Sequence, residues 1–208
     1  ERYGFNRSTP PLYQNRNGKL IKCYDKQNPG DELVAKVYFN GAWMRDERLF
    51  IDILHKLNAQ NSNILKVYLT FFTETKFCII YEHAFYGSAA EYIHKNGHGS
   101  ITEKICQGWA KNIYQAIDYL REINIAHRSI CPQHVMLVKN PVNDQQIIAK
   151  LWGFRSAISL NSERTHIMQL QPCWMFSCNA MFNFQAPEVF HNECSSYYDA
   201  IDADIWSY

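Results

Sequence analysis

Three side chains that could ligate a metal or act as a nucleophile or base lie within eight residues: His127, Cys131 and His134. Two imidazoles and a thiol are ligand types for zinc, which takes nitrogen and sulfur in tetrahedral geometry. A simpler account makes His127 a hydrogen-bonded core histidine and leaves no metal. Cys173 and Cys178, with His166, would be half of a second zinc site, but their spacing matches no common finger. The other thiols, Cys23, Cys78, Cys106, Cys131 and Cys194, are scattered, and no C-x-x-C pair occurs among the seven cysteines. The first thirty residues carry no apolar leader. Together these read as reduced thiols of a cytoplasmic protein. A different kind of chemistry is offered by Lys36, a cation at the centre of Leu33-Val34-Ala35-Lys36-Val37-Tyr38. It either meets an anion or snorkels to the surface.

These residues need elements to hold them. The chain has 208 residues, enough for one domain with a real core or for two small lobes. Lysine plus arginine (21) nearly balances aspartate plus glutamate (20), so no electrostatic argument exists for nucleic acid or an anionic membrane. A hydrophobic share of 47% excludes a disordered chain. No apolar run reaches the ~18 residues that a bilayer requires.

Residues 1–18 show no sustained period and read as irregular. A strand is expected over 19–24, then a turn at Asn28-Pro29-Gly30-Asp31, then a strand over Leu33–Tyr38. Phe50, Ile53, Leu54 and Leu57 repeat at helical spacing, so a helix is expected over 44–57. Ile64–Phe72 and Phe77–Tyr81 read as a hairpin across Thr73-Glu74-Thr75-Lys76. Ser100-Ile101-Thr102-Glu103 has the form of a capping box. It opens a long helix with Ile101, Ile105, Trp109, Ile113, Ile117 and Leu120 as its apolar stripe. Short strands follow at Val135–Val138 and Ile147–Leu151, and irregular chain extends to a helix start at Asp204. The plan is α+β and two-lobed, residues 1–82 and 83–208, with the break near Glu82–Ser88. A helix that starts just before Tyr208 suggests a fragment.

The run His127-Arg128-Ser129-Ile130-Cys131-Pro132-Gln133-His134-Val135-Met136-Leu137 resembles the catalytic loop of protein kinases. Val34-Ala35-Lys36 is similar to the V-A-I-K strand motif, and Gly153-Phe154-Arg155 sits where D-F-G belongs. Ala186-Pro187-Glu188 is an intact A-P-E, and Asp204-Ile205-Trp206-Ser207 resembles the D-x-W-S segment. Five signals in the right order are highly specific together, and they span the chain from about residue 12 onward. The resemblance implies a bilobal protein-kinase-like fold. Residues 19–82 would form an antiparallel sheet of about five strands with one helix, ahead of a mainly helical C-lobe whose last helices are missing.

It also implies roles, position by position. Lys36 would meet phosphates, with Ala35 and Met136 sandwiching adenine, Tyr81 as gatekeeper, and Glu82 and His83 in the hinge. Val67, Leu54, Phe154 and His127 match the hydrophobic spine, and Asp204 matches the buried aspartate that holds the catalytic loop. Arg128 is the arginine that meets a phosphorylated residue, with Ser159, Ser162, Thr165 and Ser177 as candidates. Glu188 is the carboxylate that pairs with an arginine on later helices.

The chemical parts fare worse. Ser129 occupies the position of the base, and a hydroxyl cannot take a proton near neutral pH. Cys131 replaces the loop lysine, His134 replaces the metal-holding asparagine, and Gly153 replaces the metal-holding aspartate. The phosphate-loop glycines fall on Gln14, Arg16 and Lys19, with only Gly18 nearby. The helix glutamate that pairs with Lys36 falls on Phe50, flanked by Glu47 and Asp52.

The expected protein is therefore a pseudokinase, a scaffold or allosteric adaptor with a protein partner such as an active kinase, and with no nucleic-acid or membrane partner. It would require no cofactor, and any ATP would bind weakly and without metal. The loop and Tyr86-Gly87-Ser88-Ala89 resemble the STRAD adaptor pseudokinases. Gln107-Gly108-Trp109 and the D-x-W-S serine resemble testis-specific serine kinases and the calmodulin-kinase group. The alternative is a weak or atypical Ser/Thr kinase that recruits Asp144 or Glu47 as its carboxylate. A decayed gene product is a third reading.

Overall fold

The computed structural model describes residues 2–5, 9–15, 18–30, 32–39, 53, 57, 62–73, 76–97, 99, 101–143, 146–160, 166–168, 183–190 and 197–208. The chain divides into two compact units, Glu1–Gln60 with Leu65–His83, and Asn61–Ile64 with Ala84–Tyr208.

The first unit is an antiparallel sheet of β1 (Tyr3–Phe5), β2 (Tyr13–Asn15), β3 (Gly18–Asp25), β4 (Glu32–Phe39), β5 (Val67–Phe72) and β6 (Lys76–Glu82). The strand order is β1-β3-β4-β6-β5, and β2 also pairs with β3. Period-two alternation explains its core. Leu33, Ala35 and Val37 of β4 share one face and pack with Cys23, Cys78 and Ile80. Burial pushes the Cys23 and Cys78 thiols up to about 12, so both behave as small apolar side chains. Ile53 and Leu57 are helical and buried, one turn apart; the rest of the expected 44–57 helix lies outside the described residues.

Residues 1–18, expected to be irregular, instead supply two strands. β1 and β2 occupy opposite ends of one edge of the eight-residue β3, and strands of three residues are too short to show a period. The β2–β3 pairing ends at Asn15↔Gly18, in the stretch where the phosphate-loop glycines would fall. Gly18 is required there by the neighbouring strand, because a Cβ would collide with the Val37 carbonyl oxygen. Beside β1, Arg2 donates to the wholly buried Asp25 at 2.8 and 2.6 Å. The Arg2 hydrogen bonds hold the Asp25 carboxyl below its usual range.

The second unit contains α1 (Ala89–Asn96), α2 (Glu103–Glu122), β7 (Ile125–Ala126), β8 (Val135–Lys139), β9 (Ile147–Leu151), β10 (Ile158–Ser159), β11 (His166–Met168), α3 (Pro187–Phe190), β12 (Tyr197–Asp199) and α4 (Ala200–Ser207). A 3-10 turn at Pro132–His134 precedes β8 and another at Phe154–Ser156 follows β9. Helix α1 is absent from the sequence expectation, although its signal is present. Ser88 Oγ accepts from Glu91 N at 3.2 Å while Glu91 Oε2 accepts from Ser88 N at 3.0 Å, a full capping box.

The box expected at Ser100–Glu103 is corrected: Thr102 caps α2, whose Trp109, Ile113, Ala116, Ile117 and Leu120 are buried. Helix α4 begins four residues before the expected Asp204, because Asp199 accepts from Ile201 N and Asp202 N. Asp204 is thus inside the helix, where its side chain points at the chain's middle segment. Ala126, Leu160, Ala186, Val189, Tyr198, Ala200 and Ala203 form a core of this unit. Ile205 and Trp206 are exposed, as is Glu188. Among the described residues no helix is long and apolar enough to cross a membrane.

Candidate functional site

The site residues expected from the sequence fall in both units. In the first, β4 places Lys36 opposite Leu20 of β3 and Ile79 of β6. Its ammonium sits 5.1 Å from the Tyr38 ring centroid, on the same face of the strand. Ala35 points to the other face and is wholly buried in the core. By alternation Val34, two residues before Lys36, shares the lysine's face.

Tyr81 is buried on that face as well, and burial drives its phenol well above the usual range. Glu82 and His83 are engaged within the same unit. Glu82 accepts from Lys66 N at 2.7 Å, and His83 Nδ1 lies 2.8 Å from Glu32 Oε2. Gln14 and Lys19 face each other in the β2–β3 hairpin. Phe50, Glu47, Asp52 and Leu54 lie outside the described residues.

In the second unit, the segment 127–136 is fixed from several directions. Asp204, buried in α4, accepts from His127 N at 2.5 Å and from Arg128 N at 2.7 Å. Arg128 has φ of 64°, in the left-handed region that bulky residues avoid, and the two carboxylate bonds hold it there. Burial pushes the Asp204 carboxyl up to about 7, against the pull of the two N–H donors and the Arg128 charge. Arg128 Nε also donates to the hydroxyl of buried Tyr198 at 3.0 Å.

His127 is wholly buried, donates from Nε2 to the Trp152 carbonyl at 2.9 Å, and meets the Phe154 ring edge-on at 4.7 Å. Its Nδ1 has no hydrogen-bond partner among the described residues. Burial, reinforced by His134, holds its imidazole down at about 3, so it is neutral. Ser129 and Cys131 are buried, at 6% and 2% exposure, so neither presents its side chain to solvent. Met136, half-buried, bridges to Ser88.

His134 closes the 3-10 turn and donates from Nδ1 to the Ser129 carbonyl at 2.6 Å. Gly153 has φ of 88°, and its Cα side faces the His134 ring. Among the described residues no group of three or more His, Cys, Asp or Glu side chains could hold a metal ion. Asp144, Cys173 and Cys178 lie outside the described residues, as do Ser162, Thr165 and Ser177.

The two shifted groups have opposite linkage. The unfolded chain protonates His127 near 6.5 and the folded chain only near 3, so stability falls as pH drops through that window. The folded Asp204 keeps its proton up to about 7 while the unfolded one releases it near 3.8, so stability falls as pH rises through that window. The slopes oppose each other where they overlap. Replacing His127 by Phe removes the first. The His127→Phe unfolding midpoint is expected to climb, relative to wild type, as pH falls from about 6.5 to about 4. Midpoints across a pH series check this, and parallel curves would contradict it.

The comparisons agree with this geometry. The family model described as "Protein kinase domain" matches residues 16–208. MAP kinase-interacting serine/threonine-protein kinase 2 of Xenopus laevis is 30% identical over 162 residues, covering 76% of this chain and 32% of the relative. Serine/threonine-protein kinase PKH1 of Saccharomyces cerevisiae is 26% identical over 187 residues, covering 88% and 23%. SNF-related serine/threonine-protein kinase of Homo sapiens is 27% identical over 161 residues, covering 76% and 18%. The chain spans about a third or less of the length of these relatives. An α+β fold of two units, the loop held by an aspartate in the following helix and the family match over nearly the whole chain lead to one statement: this chain belongs to the protein kinase domain family.

Proposed function

We propose that this kinase domain does not transfer phosphate and works as a protein-binding scaffold or allosteric adaptor, with an active kinase as its partner. The observation that carries the reading is the make-up of the loop. Between His127 and His134, and again at Gly153, no carboxylate is present. The side chain at the base position, Ser129, is a buried hydroxyl. Kinase domains in general use ATP with a divalent metal, and phosphoryl transfer depends on a base and on held metal ions. The parts that hold shape are intact: Asp204 on the loop backbone, and His127 against Phe154. A domain that keeps its scaffold and lacks its reactive groups suits recognition. The free thiols Cys23, Cys78 and Cys106 fit a cytoplasmic setting.

Lys36 remains, so nucleotide binding is weak and independent of metal. A thermal-shift titration with ATP, with and without magnesium or manganese, tests this. The expected shift is small, about 3–6 °C at tenfold saturation, and the same in both series. A shift that grows with magnesium would sink the metal-free reading.

A further inference from the structure

The fold family implies a divalent cation, and its ligand positions here are those of His134 and Gly153. The residues present do not fit it, and shape excludes it as firmly as chemistry does. A Cβ on Gly153 would lie 2.6 Å from His134 Cδ2, 2.8 Å from Cγ and 2.9 Å from Nε2, all inside the 3.0 Å that real Cβ contacts respect. The ring cannot readily swing away. Its Nδ1 is tied to the Ser129 carbonyl at 2.6 Å. Its backbone is fixed at both ends, with N–H donating to Cys131 O at 2.8 Å and carbonyl accepting from Trp152 N at 3.0 Å. Trp152 in turn holds His127 through its own carbonyl, and its indole N–H donates to Gln133 O at 3.3 Å. The contact therefore lies between two segments pinned to each other.

We infer that His134 is a plug: its imidazole fills the space that any side chain at position 153 needs, which closes the cation seat. Positions 134 and 153 are then a coupled pair, and restoring a carboxylate at 153 alone meets the ring rather than a metal. This rests on the reading that both are the family's metal-ligand positions; the steric coupling itself stands on the geometry alone.

A double-mutant cycle tests it, with unfolding midpoints of wild type, Gly153→Ala, His134→Ala and the double variant. The left-handed backbone at 153 penalises alanine equally in both backgrounds, so that penalty cancels. Gly153→Ala is expected to lower the midpoint by about 5–10 °C in wild type and by about half as much when His134 is alanine. Equal drops overturn the inference. If Gly153→Ala fails to fold, a folded double variant supports the plug, and failure of both to the same extent overturns it.

A second arm titrates Mn2+ together with ADP, read by water-proton relaxation. Gly153→Asp is expected to bind Mn2+ no better than wild type, and His134→Asn with Gly153→Asp about tenfold or more tighter. The same affinity in single and double variants, or no gain in either, overturns it. Phosphate transfer by the wild-type protein would sink the proposed function and leave the midpoint cycle untouched, whereas additive midpoints sink the plug alone.

Discussion

Ser129→Asp is expected to restore no phosphoryl transfer. A positioned base contributes typically 10²–10⁴-fold, so reinstating it looks like the natural repair. It is not sufficient, because transfer of a γ-phosphoryl group is dominated by positioning and by metal ions that neutralise the developing charge. At Gly153 no side chain exists to hold such an ion, and the His134 ring stands against it. His134 itself has its Nδ1–H committed to the Ser129 carbonyl. A carboxylate at 129 would also enter a site where the serine is only 6% exposed, which costs free energy without a paired cation. Incorporation of labelled phosphate from ATP into a general protein substrate should stay at the level of Lys36→Met. A tenfold gain over that variant would show that a cation is held by residues other than those at 134 and 153.

The largest effect on stability is expected from Asp204→Ala. The substitution strips the acceptor from two backbone donors, His127 N and Arg128 N. A buried donor left unpaired costs about 1–3 kcal/mol, so the pair comes to roughly 2–6 kcal/mol. The buried carboxylate also pays a desolvation penalty, which burial reveals by raising its titration to about 7, so the lower half of that range is the better guide. For a chain of this size the midpoint should fall by roughly 5–12 °C. Arg128 should also leave its left-handed conformation, since the Asp204 bond to its N–H is lost. Asp204→Asn keeps one acceptor oxygen and should fall about half as far. A change in Asp204→Ala of no more than about 1 °C would mean that the loop is anchored elsewhere.

Much of this was legible in the residues, for physical reasons. Strand β4 and the β8–β9 hairpin are apolar runs bounded by polar turns, and α2 carries an apolar stripe at helical spacing. The catalytic-loop positions were legible because motif order is a one-dimensional property. The strands β1 and β2 were not, since three residues cannot display alternation and their pairing depends on a long β3 edge. The start of α4 was set by an aspartate cap, Asp199, five residues ahead of Asp204, the first residue of the D-x-W-S segment, a local signal that the motif overshadowed. That Ala35 and Lys36 point to opposite faces of β4 follows from strand alternation alone. The His134–Gly153 contact was not readable at all. It joins residues far apart in sequence and depends on a positive φ at one of them.

The central claim is that this kinase domain does not transfer phosphate, and wild-type protein beside Lys36→Met tests it most directly. Both are incubated with γ-labelled ATP and a general protein substrate, in magnesium and then in manganese. The expected result is that wild type and Lys36→Met incorporate label at the same background level in either metal. Robust magnesium-dependent incorporation by wild type, lost in Lys36→Met, would contradict the claim.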